Sequence, residues 1–210
     1  MIHEILPVGQ LQCNCSVIGD EQSGEAMVVD PGDEIGRILD VVKARGLNVK
    51  FIVITHAHID HIGGAQKLKT ATGAPVYMNG KDEDLKSTLD MQAAWLGVRR
   101  PDEVATDAPL GDGDKLKVGG TELIALHTPG HTQGSTSLWI PSAGRVLAGD
   151  TLFRDSVGRT DLPGGDSQQI LRSIHEKLLT LPEETLVIPG HGENTTIGRE
   201  KQFNFFLRVM

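Results

Sequence analysis

The stretch that most restricts this chain runs from Val49 to Gly64: an apolar, β-branched segment (VKFIVI) followed at once by Thr55-His56-Ala57-His58-Ile59-Asp60-His61-Ile62-Gly63-Gly64. The apolar part reads as a buried strand. It delivers three imidazoles and a carboxylate where the strand ends, the edge at which open α/β sheets bind ligands. Residues two apart on an extended chain point the same way, so His56 and His58 can grip one ion. If the chain turns helical after His58, Asp60 and His61 swing towards a second. Neutral imidazole and carboxylate are zinc-type ligands. Without an ion, three packed imidazoles would repel one another on protonation, so a purely structural cluster is the weaker reading.

The rest of the chain supplies alternating elements. Ile2 to Val8, Ser16 to Ile18 and Ala26 to Asp30 read as strands, with a polar hairpin turn at Asp20 to Gly24. Asp30-Pro31-Gly32-Asp33 ends the third strand and starts a helix, with Ile35, Ile38, Leu39 and Val42 at helical spacing and Gly46 as its stop. After the His cluster we expect a helix from His61 to Thr72, with Gly63-Gly64 allowing close approach. A strand at Ala74 to Met78, a helix from Lys81 to Leu96 and a loop over 97–114 follow. Then come a hairpin over 115–126, strands at Thr136 to Ile140 and Arg145 to Ala148, a helix over 166–180, a strand at Leu186 to Ile188 and a helix from near Ile197. The simplest architecture is one α/β domain over 1–210, two sheets faced by helices.

Three more apolar runs end in a glycine-containing turn with one candidate ligand: His131 in His127-Thr128-Pro129-Gly130-His131-Thr132, Asp150 in Gly149-Asp150-Thr151, and His191 in Pro189-Gly190-His191-Gly192. Four such strand ends can converge on one rim as a single site. His3, His127 and His175 are expected to lie outside it. Trp95, Trp139 and Tyr77 read as core or pocket wall.

A net charge of −8 with no long basic run argues against a nucleic-acid backbone as the main partner. The start of the chain lacks a signal-peptide pattern, and no stretch approaches the ~20 apolar residues of a membrane span. Cys13 and Cys15, the only cysteines, read as two reduced thiols on an early strand. A cytoplasmic protein without membrane partners is therefore expected; nothing in the sequence fixes its oligomeric state.

HAHIDH at 56–61, Gly130-His131, Gly149-Asp150 and Gly190-His191, with Asp30-Pro31-Gly32 upstream, together resemble the metallo-β-lactamase fold superfamily. Gly149-Asp150-Thr151-Leu152-Phe153 and Val157-Gly158-Arg159-Thr160-Asp161 look most like its short glyoxalase II-like (hydroxyacylglutathione hydrolase-like) members. The resemblance implies an αββα sandwich of two mixed sheets flanked by helices. It implies that His56, His58 and His131 hold one metal, that Asp60, His61 and His191 hold a second, and that Asp150 bridges them. Two zinc ions are expected, with iron as the alternative at one or both positions. Asp30 would orient the His loop from behind. Arg159 matches the position that presents a basic group to the glycine carboxylate of glutathione. The C-terminal helical domain that holds glutathione in the longer members is not expected, since the chain stops at Met210.

Asp at 150, where the antibiotic-degrading branch has Cys, disfavours β-lactam hydrolysis. His at 58, where the diiron flavoprotein branch has Glu, disfavours that redox chemistry. Gln133, where many relatives have Pro, is expected outside the ligand set. The reaction implied is hydrolysis of a small thioester by a metal-bridged hydroxide that Asp60 helps to orient. The alternative is a persulfide dioxygenase with one iron on His56, His131 and Asp150. A nuclease would need basic docking segments that are not visible, and a non-enzymatic binding module would have no use for open metal positions.

Overall fold

A computed structural model describes residues 1–208 and divides into two compact units. The first comprises Met1–Leu110 and Lys117–Thr121, the second Gly111–Leu116 and the described residues from Glu122 onward.

In chain order the strands are β1 (Ile2–Val8), β2 (Cys13–Gly19), β3 (Glu25–Val29), β4 (Asn48–Ile54), β5 (Val76–Met78), β6 (Ala108–Pro109), β7 (Lys115–Val118), β8 (Thr121–His127), β9 (Thr136–Ile140), β10 (Arg145–Gly149), β11 (Leu152–Phe153), β12 (Ser156–Val157), β13 (Leu186–Pro189) and β14 (Thr195–Thr196). The α-helices are α1 (Ile35–Ala44), α2 (Ile59–Ile62), α3 (Ala65–Thr72), α4 (Glu83–Lys86), α5 (Leu89–Leu96), α6 (Ser167–Ser173) and α7 (Ile197–Phe203).

The first sheet runs β1-β2-β3-β4-β5-β6. It is antiparallel from β1 to β3 and parallel from β3 to β6. Strand β4 sits inside it, and Ile52, Val53 and Ile54 are fully buried. That is why Phe51–Ile54, directly before the His cluster, is a continuous apolar run, whereas Asn48–Lys50 upstream alternates. Ile38 and Val42 of α1, Ile62 of α2 and Leu68 of α3 pack with Val17, Val28, Ile52 and Met78 into one core. The second sheet has the order β14-β13-β10-β9-β8-β7 and is also mixed, with β10 parallel to β13 and antiparallel to β9. Val146, Ala148 and Val187 from it pack with Ile170 of α6, Ile174, Leu178 and Ile197 of α7.

Three helices differ from the sequence expectation. The segment from His61 to Thr72 is two helices. The Gly64 amide leaves the helical ladder and donates to the Pro31 carbonyl at 2.9 Å, so α2 stops after one turn. The segment from Lys81 to Leu96 breaks at Ser87 and Thr88, whose hydroxyls donate back to Asp84 O and Leu85 O at 2.6 and 2.7 Å. The helix over 166–180 starts cleanly, with Asp166 Oδ1 accepting the Gln168 and Gln169 amides at 2.9 Å, but widens into a π-helical turn at Ile174–Leu178. The β11–β12 hairpin, β6 and β14 are two-residue strands with no readable periodicity. Trp95 is exposed, not core. Among the described residues no helix is long and apolar enough to cross a membrane.

Among the described residues the second unit contains one fully buried carboxylate side chain, Glu200 on α7. It accepts from Thr195 Oγ1 at 2.5 Å, Asn204 Nδ2 at 2.8 Å, the Asp155 amide at 2.9 Å and Arg199 Nη1 at 3.0 Å. Four donors and no acceptor make an ionised side chain the only satisfied choice. Glu200→Gln keeps the volume but turns an NH2 group against those donors. The expected loss of unfolding free energy is about 3 kcal/mol, measured by urea denaturation.

Candidate metal centre

In the first unit the His cluster is built on the end of β4. The rings of His56 and His58 lie 4.9 Å apart and those of His56 and His61 4.0 Å apart, by centroid. His56 and His61 are buried, and His58 and Asp60 half-buried. Behind them sits Asp30, buried at the end of β3 in the left-handed region (φ 52°). Its Oδ1 accepts the Thr55 amide at 2.8 Å, and its Oδ2 the Thr55 hydroxyl at 2.7 Å. Oδ2 also takes the His61 Nδ1 proton at 2.9 Å. His61 therefore keeps Nε2 for a ligand role, and that atom stands 3.7 Å from Asp60 Oδ2. Gly32 explains how the Asp30 loop comes so close. A Cβ there would fall 1.6 Å from the Asp60 carbonyl oxygen, a contact only glycine can make.

In the second unit Asp150 closes β10 and faces two histidines. One oxygen, Oδ2, is 3.6 Å from His131 Nε2 and 3.8 Å from His191 Nε2. His131 Nδ1 donates to the Arg159 carbonyl at 2.8 Å, which again leaves Nε2 outward.

These three nitrogen–oxygen separations are too long for good hydrogen bonds. Ligands ~2.0–2.2 Å from a tetrahedral ion stand about 3.3–3.6 Å from one another. Spacings of 3.6 to 3.8 Å are close to that and match atoms arranged around a common cation. With the Nδ1 protons of His61 and His131 spent on fixed acceptors and carboxylates facing Nε2, the donor set in each unit fits a divalent zinc- or iron-type ion.

Several side chains stand apart from these clusters. His127 Nε2 meets the Gln133 carbonyl at 2.9 Å, and His3 Nε2 meets Ser16 Oγ at 3.1 Å. His175 lies in the π-helical turn. Gln133 turns to the Gly164 carbonyl at 2.7 Å. Arg154 pairs with Glu193, and Asp155 with Arg199. Arg159 is exposed and holds Asp161 by two parallel bonds, Nε to Oδ1 and Nη2 to Oδ2, both 2.8 Å. That pair lowers the Asp161 carboxyl to about 2. Sequence reasoning assigned Arg159 a side-chain role and missed its backbone carbonyl, which carries no sequence signal.

Cys13 and Cys15 are both free and fully buried on β2. Cys13 Sγ lies 3.5 Å from His61 Nδ1. Burial raises its thiol to about 11 and the Cys15 thiol well above the ordinary range. A disulfide-forming reagent should find no reactive thiol in the native protein and two after unfolding in guanidinium. Rapid native labelling of either cysteine would contradict the packing of β2.

A family model for the metallo-β-lactamase superfamily matches residues 8–191. The hydroxyacylglutathione hydrolase GloC of Haemophilus influenzae is 39% identical over 206 residues, covering 97% of each chain. The crystal structure of BLEG-1 B3 metallo-β-lactamase superposes with a TM-score of 0.90 at 36% identity, over 98% of this chain and 99% of that one. The structure of TTHA1623 in a di-iron-bound form gives a TM-score of 0.88 at 37% identity, over 97% and 100%.

Proposed function

This chain belongs to the metallo-β-lactamase superfamily of metallohydrolases and has its α/β fold of two mixed six-stranded sheets with helices, and from that premise we propose that it hydrolyses a small thioester of the hydroxyacylglutathione type. The observation that carries the hydrolytic part is Asp150, whose Oδ2 faces the Nε2 atoms of both His131 and His191. The thioester part rests on the likeness to GloC.

In this reading, as the family resemblance implies, His56, His58 and His131 would hold one ion, Asp60, His61 and His191 would hold a second, and Asp150 would serve both. When bound, the ions lower the pKa of a water towards ~7 and polarise the carbonyl. Asp60 accepts a hydrogen bond from the attacking water and so aims its lone pair. Asp30 keeps His61 in the tautomer with Nε2 unprotonated. Thiolate is a good leaving group, so no protein acid needs to protonate it. Zinc is the expected ion, and the di-iron TTHA1623 structure supports iron as the alternative.

Two measurements test the proposal. Protein purified without added metal should contain two ions per chain, and should cleave an α-hydroxyacyl-glutathione in preference to a chromogenic cephalosporin. One iron per chain with oxygen uptake on a glutathione persulfide would replace this reading by the dioxygenase. Preferential cephalosporin turnover would replace it by the activity named for BLEG-1. Asp150→Asn should lose at least one ion, with metal affinity falling by about 10–100-fold or more.

Substrate selection is proposed to involve Arg159. Arg159→Ala removes the guanidinium but keeps the carbonyl that orients His131. KM for a glutathione thioester should rise about three- to tenfold with kcat nearly unchanged. A thioester lacking the glycine carboxylate should be unaffected. Asp161→Ala, which releases the guanidinium, should move KM the other way.

A further inference from the structure

We infer that Gln92 on α5 is a positioning residue for His58, acting as a one-residue strand partner for the metal loop; the inference rests on the metal-centre reading above. His58 is the last extended residue before α2, at φ −73° and ψ 146°. Its side chain can point with that of His56 only while this backbone stays extended. Strand β4 ends at Ile54, so sheet pairing no longer holds the chain there.

Gln92 supplies what the sheet does not. Its Oε1 accepts the Ile59 amide at 2.9 Å, and its Nε2 donates to the Ala57 carbonyl at 3.3 Å. One side-chain amide thus meets the C=O before His58 and the N–H after it, the two groups a neighbouring strand would take. The orientation of the amide is fixed by its partners, because the Ile59 N–H must face the oxygen. The second Nε2 proton is held by Thr88 Oγ1 at 3.2 Å and the Leu85 carbonyl at 3.4 Å, which tie the amide back to the helical segment that carries it. Asp82 completes the bracket from the other side, its Oδ2 accepting the Ala57 amide at 3.0 Å. Asp82 is buried and Gln92 half-buried. The amides of Ala57 and Ile59 and the Ala57 carbonyl are therefore all held by side chains from outside the loop.

A residue that only packs α5 would change stability and leave the metal untouched. A residue that fixes the His58 backbone changes metal binding in excess of stability. The test is cobalt(II) titration of the metal-free protein, read by its ligand-field absorption, beside urea unfolding of the same metal-free samples. Gln92→Met keeps length and volume but removes every hydrogen bond. Gln66→Met is the control: Gln66 Oε1 accepts the Ala105 amide at 3.2 Å, a similar contact that does not touch the metal loop. The expected result is that Gln92→Met weakens cobalt binding about tenfold or more and alters the absorption bands, while its metal-free stability falls no further than that of Gln66→Met. If Gln92→Met does not fold, Gln92→Glu gives the same reading, since it keeps the acceptor for Ile59 and loses both donors. Cobalt affinity and spectrum equal to wild type in the folded variant would overturn the inference alone. Loss of affinity matched in full by loss of stability would overturn it too. Wild-type protein that takes up no cobalt would remove the metal-centre reading, and this inference with it.

Discussion

The first unit depends on the buried charge of Asp30. A carboxylate can only accept, so the single hydroxyl proton of Thr55 goes to Oδ2 at 2.7 Å. His56 Nδ1 lies 3.1 Å from that same hydroxyl oxygen and must therefore be the donor between them. His61 Nδ1 donates to Asp30 directly. One ionised group thus sets the tautomers of two histidines, one by contact and one through a hydroxyl, and both are left with Nε2 available. The cost of burying that charge is offset by three hydrogen bonds and by the backbone that brings it there: a left-handed residue, then Pro31 and Gly32 packed against α2.

The second unit solves the same problem with a neutral acceptor. His131 Nδ1 donates to a backbone carbonyl, that of Arg159. A carbonyl orients a ring as well as a carboxylate does, but it raises the basicity of the imidazole less. Its position must come from the loop itself. Gly158 supplies part of it, since a Cβ there would lie 1.9 Å from the Asp150 carbonyl oxygen. The Glu200 network supplies more by holding the Asp155 amide and, through Asn204, the Ser156 carbonyl. A buried glutamate on α7 is in this way tied to the loop that orients a histidine.

The sequence shows these arrangements unevenly. Strand β4 is legible because its end, buried on both faces, leaves the apolar run Phe51–Ile54, and the candidate ligand residues stand out because they follow such runs directly. Asp30 was recognisable through its neighbours Pro31 and Gly32. Gln92 and Asp82 were not, since an amide or carboxylate on an exposed-looking helix gives no hint that it reaches back to a loop about thirty residues earlier. The break at Gly63-Gly64 was hidden for the opposite reason. Both glycines read as points of close approach, but what approaches is the Pro31 carbonyl, which takes the Gly64 amide out of the helix. The hairpin of β11 and β12 is held by contacts with α7 that no local pattern records.

The Arg159–Asp161 pair bears on how sharply a glutathione carboxylate could be read. The Nε–Nη2 edge of the guanidinium is already used by Asp161, in two bonds of 2.8 Å each, and among the described residues its Nη1–Nη2 edge is not used. With its carboxyl held at about 2, Asp161 stays ionised throughout the neutral range, so lowering the pH by a unit or two does not vacate the site. A substrate carboxylate must then either displace this tethered one or take the remaining edge of a guanidinium whose charge Asp161 already balances. What it gains is the difference made by Asp161, displaced or shared, and not the whole of a contact with an unpaired guanidinium. Because the guanidinium is exposed, salt further screens that difference. On the proposed thioester activity, selectivity for the glycine end of glutathione would therefore be shallow, and most of the discrimination would come from where the scissile carbonyl can sit.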